Sequence, residues 1–216
     1  MKDADLLLSD GSTVSADYTV VSGSDGVEVF VGINGPANTP NAMGFELQEV
    51  NFALALMDST VDDRSWSAVK AFATEVGLVN IPHLDIAVEN LNVEINIDDA
   101  GSDVVADFSQ NPLTVDAGLD YDITLDFDGA MGPIVIAEGD IRLNVADFLT
   151  ASGKIAIATR KENLTLNTGE EIETDVLTLA GTDVGGFAGY GHPENSDNSM
   201  GFILNNRHPS FSMKSS

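Results

Sequence analysis

Along most of this chain apolar and polar positions alternate with a period of two, the signature of strands that bury one face. Leu84, Ile86 and Val88 alternate with Asp85, Ala87 and Glu89; after a slip of one residue, Leu91, Val93, Ile95 and Ile97 alternate with Asn92, Glu94 and Asn96. A β-bulge near Asn90 would restore the register between the two halves. Tyr121, Ile123, Leu125 and Phe127 interleave with Asp122, Thr124 and Asp126, so that strand is apolar on one side and acidic on the other. The same reading places strands at 27–33, 43–57, 104–108, 134–136, 141–145, 154–158, 164–166 and 171–179. Gly, Asn, Asp and Pro clusters such as Asn34-Gly35-Pro36 separate them. One segment follows another period. Trp66, Val69, Phe72, Ala73 and Val76 recur near 3.6 residues, with Asp62 or Asp63 as N-cap and Gly77 as stop, which predicts one short helix over 62–76. Trp66, the sole tryptophan, is expected to plug an open end or face of the sheet.

The opening of the chain returns near its end. Leu6, Leu8, Gly11, Asp17, Gly23 and Asp25 reappear as Leu164, Leu166, Gly169, Asp175, Gly181 and Asp183, an offset of 158 residues. One residue is then lost, and Phe30, Gly32, Pro36, Met43, Gly44, Phe45 and Leu47 reappear as Phe187, Gly189, Pro193, Met200, Gly201, Phe202 and Leu204, an offset of 157. A long self-similar period is the mark of units that stack and serve as scaffold, spacer or binding surface. Residues 1–158 form one full repeat unit and 159–216 the opening of a second, packed into the same continuous domain. The second copy changes character toward 206–213, where Arg207, His208 and Pro209 replace continuous strand sequence, as a blunted terminal repeat would.

Charge changes this picture more than hydropathy does. The 216 residues include 35 acidic and 9 basic ones, a formal net charge of −26. Such a field repels phosphate backbones and anionic lipid, which disfavours nucleic acid and membrane surfaces as partners. Solubility in high salt, divalent-cation binding and a plain solvated face each account for it. Cysteine is absent, so disulfides, thiolate metal sites and a cysteine nucleophile are excluded. No apolar run approaches the roughly 18 residues of a helical membrane span.

Elements of a catalytic site are sparse. His83, His192 and His208 are dispersed without metal-ligand spacing, and no Gly-x-Ser-x-Gly elbow, phosphate loop or dinucleotide fingerprint occurs. The glycines between 176 and 191 lack a following Gly-Lys-Ser/Thr and read as tight turns and close strand packing. The chain is therefore not expected to be an enzyme. Calcium is the candidate cofactor. Asp98, Asp99 and Asp103 surround Gly101 in an acidic turn, and Asp120, Asp122, Asp126 and Asp128 bring further carboxylates along one strand before Gly129. Calcium takes six to eight oxygens, which clustered aspartates can supply. Neither stretch matches an EF-hand loop or a glycine-rich nonapeptide, and an acidic solvent-facing rim explains them equally well.

The runs Glu-Thr-Asp-Val-Leu-Thr-Leu-Ala-Gly-Thr-Asp-Val-Gly-Gly-Phe-Ala-Gly (173–189), Asn-Phe-Ala-Leu-Ala-Leu-Met (51–57), Arg-Ser-Trp-Ser-Ala-Val-Lys-Ala (64–71) and Leu-Asp-Phe-Asp-Gly-Ala (125–130) resemble the long tandem repeats of giant bacterial extracellular, adhesin-like proteins. The resemblance implies a secreted or cell-surface bacterial module, of a kind sometimes found beside calcium-binding domains. The expected fold is all-β with the single helix, a long antiparallel meander rolled into an elongated barrel-like or solenoid-like body, with a β-sandwich as the alternative. The expected function is structural: a filament subunit that self-associates head-to-tail, or a spacer in a surface adhesin. The alternative is a calcium-dependent module that binds carbohydrate or a surface protein, using exposed aromatics such as Tyr121 or Tyr190.

Overall fold

A computed structural model describes residues 2–99, 101–118, 121–146, 148–190 and 200–205. The fold is all-β. Nine strands form one antiparallel sheet: β1 (Lys2–Leu7), β2 (Thr13–Ile33), β3 (Met43–Ser59), β4 (Ser65–Val79), β5 (Leu84–Asp98), β8 (Ile134–Val145), β9 (Leu149–Thr165), β10 (Glu171–Tyr190) and β11 (Met200–Asn205), side by side in that order. Among the described residues the meander is interrupted once. Between β5 and β8 the chain leaves the sheet to form a small hairpin, β6 (Leu113–Asp116) with β7 (Asp122–Leu125), and a single 3-10 turn at Gly129–Met131. Among the described residues β1 and β11 do not pair, so the sheet is open and no barrel closes. The 158/159 division of the repeat falls inside β9, through which the sheet runs unbroken.

The expected helix is absent: residues 65–79 are strand β4, paired with β3 on one side, with a gap at Ala73 and Thr74, and with β5 on the other from Trp66 to Gly77. Apolar residues on both faces of this strand produced the misleading period. Trp66 and Ala68 are buried on one face, whereas Ala73 and Val76 are buried in a separate cluster with Val50. Asp62 caps no helix; it holds the β3–β4 turn by accepting the Arg64 backbone N–H at 3.2 Å and pairing with its guanidinium at 2.9 Å. Residues 104–108 also differ from expectation, running beside β1 through one bridge, Leu8 to Ala106, instead of forming a strand.

The bulge at Asn90 is present. Asn90 has φ +54°, and the β5–β8 register shifts between Glu89 and Asn92. Related irregularities lie across the sheet in β2 between Gly23 and Val29, in β3 at Glu49 (φ +50°) and in β10 at Asp183 (φ +53°). They let sequence parity change while apolar side chains stay on one face. Thus Phe52, Ala73 and Leu91, on one side of this line, pack in a single cluster with Leu47, Val76 and Val88 on the other.

The main core lies on the opposite face, since Ala53 belongs to it and Phe52, the next residue along the strand, does not. There residues 104–127 act as a cap. Val105, Phe108, Leu125 and Phe127 of the cap are buried, as are Leu6, Leu8, Val14, Met57 and Trp66 of β1–β4 and the adjoining β1–β2 turn. Trp66 fulfils the plugging role: its indole N–H donates to the Val104 carbonyl at 2.7 Å. Asn96 donates to the Ala106 carbonyl at 2.8 Å, and the Ser22 and Ser24 hydroxyls to those of Asp116 and Ala117, each at 2.8 Å.

Candidate assembly surface

The two repeated segments adopt the same local structure. In the first, Leu7 pairs with Thr13, Leu8 N–H donates to Ser12 O at 2.9 Å, and Gly11 has φ +81°. In the second, Thr165 pairs with Glu171, Leu166 N–H donates to Glu170 O at 2.7 Å, and Gly169 has φ +83°. Beyond the bulges the match continues at the other offset: Val31 pairs with Phe45, Gly32 with Gly44 and Ile33 with Met43, as Ala188 pairs with Phe202, Gly189 with Gly201 and Tyr190 with Met200. Glycine is required at these pairs because the backbones approach closely. A Cβ on Gly32 would meet the Met43 carbonyl oxygen, and one on Gly189 the Met200 carbonyl oxygen. The lost residue lies at the bulge, where a ladder can absorb it without disturbing the flanking strands.

Their surroundings differ. The outer edge of β3 is covered by β4 over Glu75–Val79, whereas no described strand pairs with the outer edge of its counterpart β11. The cap buries Leu8 to 1% exposure, but its counterpart Leu166 is 40% exposed; Val14 is buried and its counterpart Ile172 is exposed.

The sheet's two edges are also unlike, one formed by β1 and, past Tyr18, by β2, the other by β11. β1 carries Lys2, Asp3 and Asp5 in sequence, and the cap engages its end through Asp107 N–H to Leu7 O and Ser9 N–H to Val105 O, both at 2.9 Å. β11, Met-Gly-Phe-Ile-Leu-Asn, has neither charge nor proline, and neither has its β10 partner segment, Gly185–Tyr190. Edge strands ordinarily carry such residues to prevent further pairing. On β11, Met200, Phe202 and Leu204 are 73%, 65% and 57% exposed.

These three side chains prolong an apolar face that runs from β2 to β10 opposite the cap. Val21, Leu54, Val69, Ile95, Val135, Thr159 and Leu177 stand in one cross-strand row, and Gly23, Phe52, Ala71, Val93, Ala137, Ile157 and Leu179 in the next. Neither row contains a charge. At about 4.8 Å per strand the seven-strand row spans roughly 30 Å. The reverse face of the sheet, on the far side of the bulges from the cap, carries Glu46, Glu75, Glu89, Asp140 and Arg142, with Arg142 paired to Glu89. On the apolar face itself the rows end at Asp17 and Asp58, which pair across β2 and β3.

A cavity of about 600 Å³ opens between the cap and the β1–β2 pair, lined by Leu6, Tyr18, Val20, Phe108, Pro112 and Leu113, with Asp5 and Asp107 also present. Burial raises the Tyr18 phenol pKa, and the Asp5 charge adds to the shift. Asp107 is a fastener of the cap. The Ser109 side chain holds its carboxyl below the usual range despite partial burial, and the backbone N–H groups of Ser109 and Gly129, at 3.0 and 3.3 Å, contribute.

The candidate calcium residues are dispersed in local roles. Asp98 accepts the backbone N–H groups of Ser102 and, at 3.3 Å, Asp103; Asp99 faces the Ser67 hydroxyl at 3.4 Å. Asp122 opens β7, Asp126 pairs with Lys70, and Asp128 accepts the Ala130 N–H at 2.9 Å. Asp120 lies outside the described residues, as do His192, His208 and the altered stretch 206–213. Among the described residues no three Asp, Glu, His or Cys side chains gather closely enough to hold a metal ion. His83 is exposed, with φ +61°. Sequence reasoning passed over β11 as a surface, although Met200-Gly201-Phe202 answering Met43-Gly44-Phe45 marked it as the equivalent of a strand with two neighbours. Comparison with family models, curated proteins and solved structures finds no match for this chain.

Proposed function

We propose that this protein is a structural repeat module, secreted or displayed on a bacterial surface, that acts as a filament subunit or adhesin spacer and associates with itself through its sheet edges. One observation carries the reading: two hairpins of identical register lie toward opposite ends of one sheet, and β4 covers the outer edge of β3, whereas the matching edge of β11 is uncharged, apolar and open among the described residues. An unpaired row of backbone N–H and C=O groups on such a strand is a template for strand addition. The extracellular placement rests on the resemblance of the repeated runs to adhesin-like tandem repeats. Sedimentation velocity across a hundredfold range of concentration, with micrographs of the same samples, tests the reading. Concentration-dependent oligomers support it, and monomers at every concentration refute it.

A further inference from the structure

Resting on that reading, we infer that the junction between copies is a dyad in which β11 pairs antiparallel with β11 of a second copy, centred on Phe202. The strand directions lead there. All eight neighbouring pairs in the nine-stranded sheet are antiparallel, so β1 and β11 run the same way. Head-to-tail stacking by translation would set β11 either beside the next copy's β1 as a parallel pair, the less stable ladder per residue, or beside the part of β2 past Tyr18 that β1 leaves uncovered, which carries Asp25 and Glu28 in sequence. Both routes use an edge that carries charges, and its β1 part is engaged at Leu7–Ser9 by the cap. A two-fold axis normal to the sheet instead brings two β11 edges together antiparallel and keeps both apolar faces on the same side. Two-fold contacts between identical patches are also the commonest form of self-association.

The side chains fit this arrangement. Centred on Phe202, the dyad places Phe202 opposite its symmetry mate and Met200 opposite Leu204, so three exposed apolar side chains per copy gain cross-strand partners. The rows Val145–Leu149–Ala188–Phe202 and Leu143–Ala151–Gly186–Leu204 then continue from one copy into the next. The β2–β3 hairpin supplies the internal precedent, because Phe45, the counterpart of Phe202, already has an apolar antiparallel neighbour in Leu78. No charge lies in β11 or in β10 from Gly185 to Tyr190, so two chains of net charge −26 can meet there without opposing carboxylates at the seam. A dyad at this edge joins two copies in one continuous sheet and closes this junction, so growth beyond the pair uses a second contact at the other edge of each copy.

The absence of cysteine makes a clean assay available. Phe202→Cys places two sulfurs at directly opposed positions, within the Cα separation a disulfide accepts. Under mild oxidation this variant should become predominantly a covalent dimer. Val61→Cys, in the exposed β3–β4 turn, should remain monomeric on a denaturing gel. Phe202→Asp, which sets two carboxylates face to face, should weaken dimerisation by about a hundredfold without lowering the melting temperature of the monomer. A wild-type dimer whose Phe202→Cys variant does not cross-link overturns this junction but leaves edge assembly standing. Monomers at all concentrations overturn both.

Discussion

Leu8 and Leu166 are the same residue, placed in the same turn of the two repeated segments, yet 1% and 40% exposed. Truncating each to alanine therefore measures the cap, since backbone geometry and residue type are held constant. Leu8→Ala removes a side chain enclosed in the main core and leaves a cavity, which costs about 2–5 kcal/mol. Leu166→Ala removes a side chain that already retains much of its contact with water, and should cost about 1 kcal/mol or less. For a chain of this size each kcal/mol moves the melting temperature by roughly 2–4 °C, so the two variants should separate by about 2–20 °C. Urea titrations read at the single tryptophan, which sits in the same core as Leu8, would report both midpoints. Equal losses for the two variants would refute the reasoning: either the cap does not bury the first turn or the second is covered by something equivalent. The double variant should show the sum of the two effects, because the residues lie on different strand pairs and share no partner.

Trp66→Phe keeps most of the ring volume but leaves the Val104 carbonyl without its indole donor, at a cost of about 1–3 kcal/mol; a melting temperature equal to wild type would remove this bond from the account of the cap. The folded state depresses the Asp107 carboxyl, so its stabilisation is complete above the ordinary value of 3.8 and is lost as pH falls through the lower folded value; melts from pH 6 to pH 2 should show an acid loss that Asp107→Asn reduces, and an unchanged acid limb would contradict it. With a net charge of −26, raising sodium chloride from 10 mM to 1 M should raise the melting temperature through screening, and a fall would count against self-repulsion as a destabilising force. An additional rise with calcium at matched ionic strength would mark a discrete site instead of a diffuse field.

Period-two alternation in the sequence was enough to establish an all-β meander, and the parity slip after Glu89 located the bulge at Asn90, because side-chain direction along a strand is a local property of the backbone. The repeat offset was equally legible, together with the position of the lost residue. Residues 62–76 misled because a strand with apolar groups on both faces, interrupted by an irregularity, mimics helical spacing; only pairing with β3 and β5 resolved it. Which face received a cap, which carboxylates found local partners and which edge no described strand covers were decided by the tertiary structure. Periodicity states which side chains share a face, but what lies across that face depends on chain segments far away in sequence. Leu8 and Leu166 are indistinguishable by pattern, and the arrival of residues 104–127 over one of them made it core and left the other as surface.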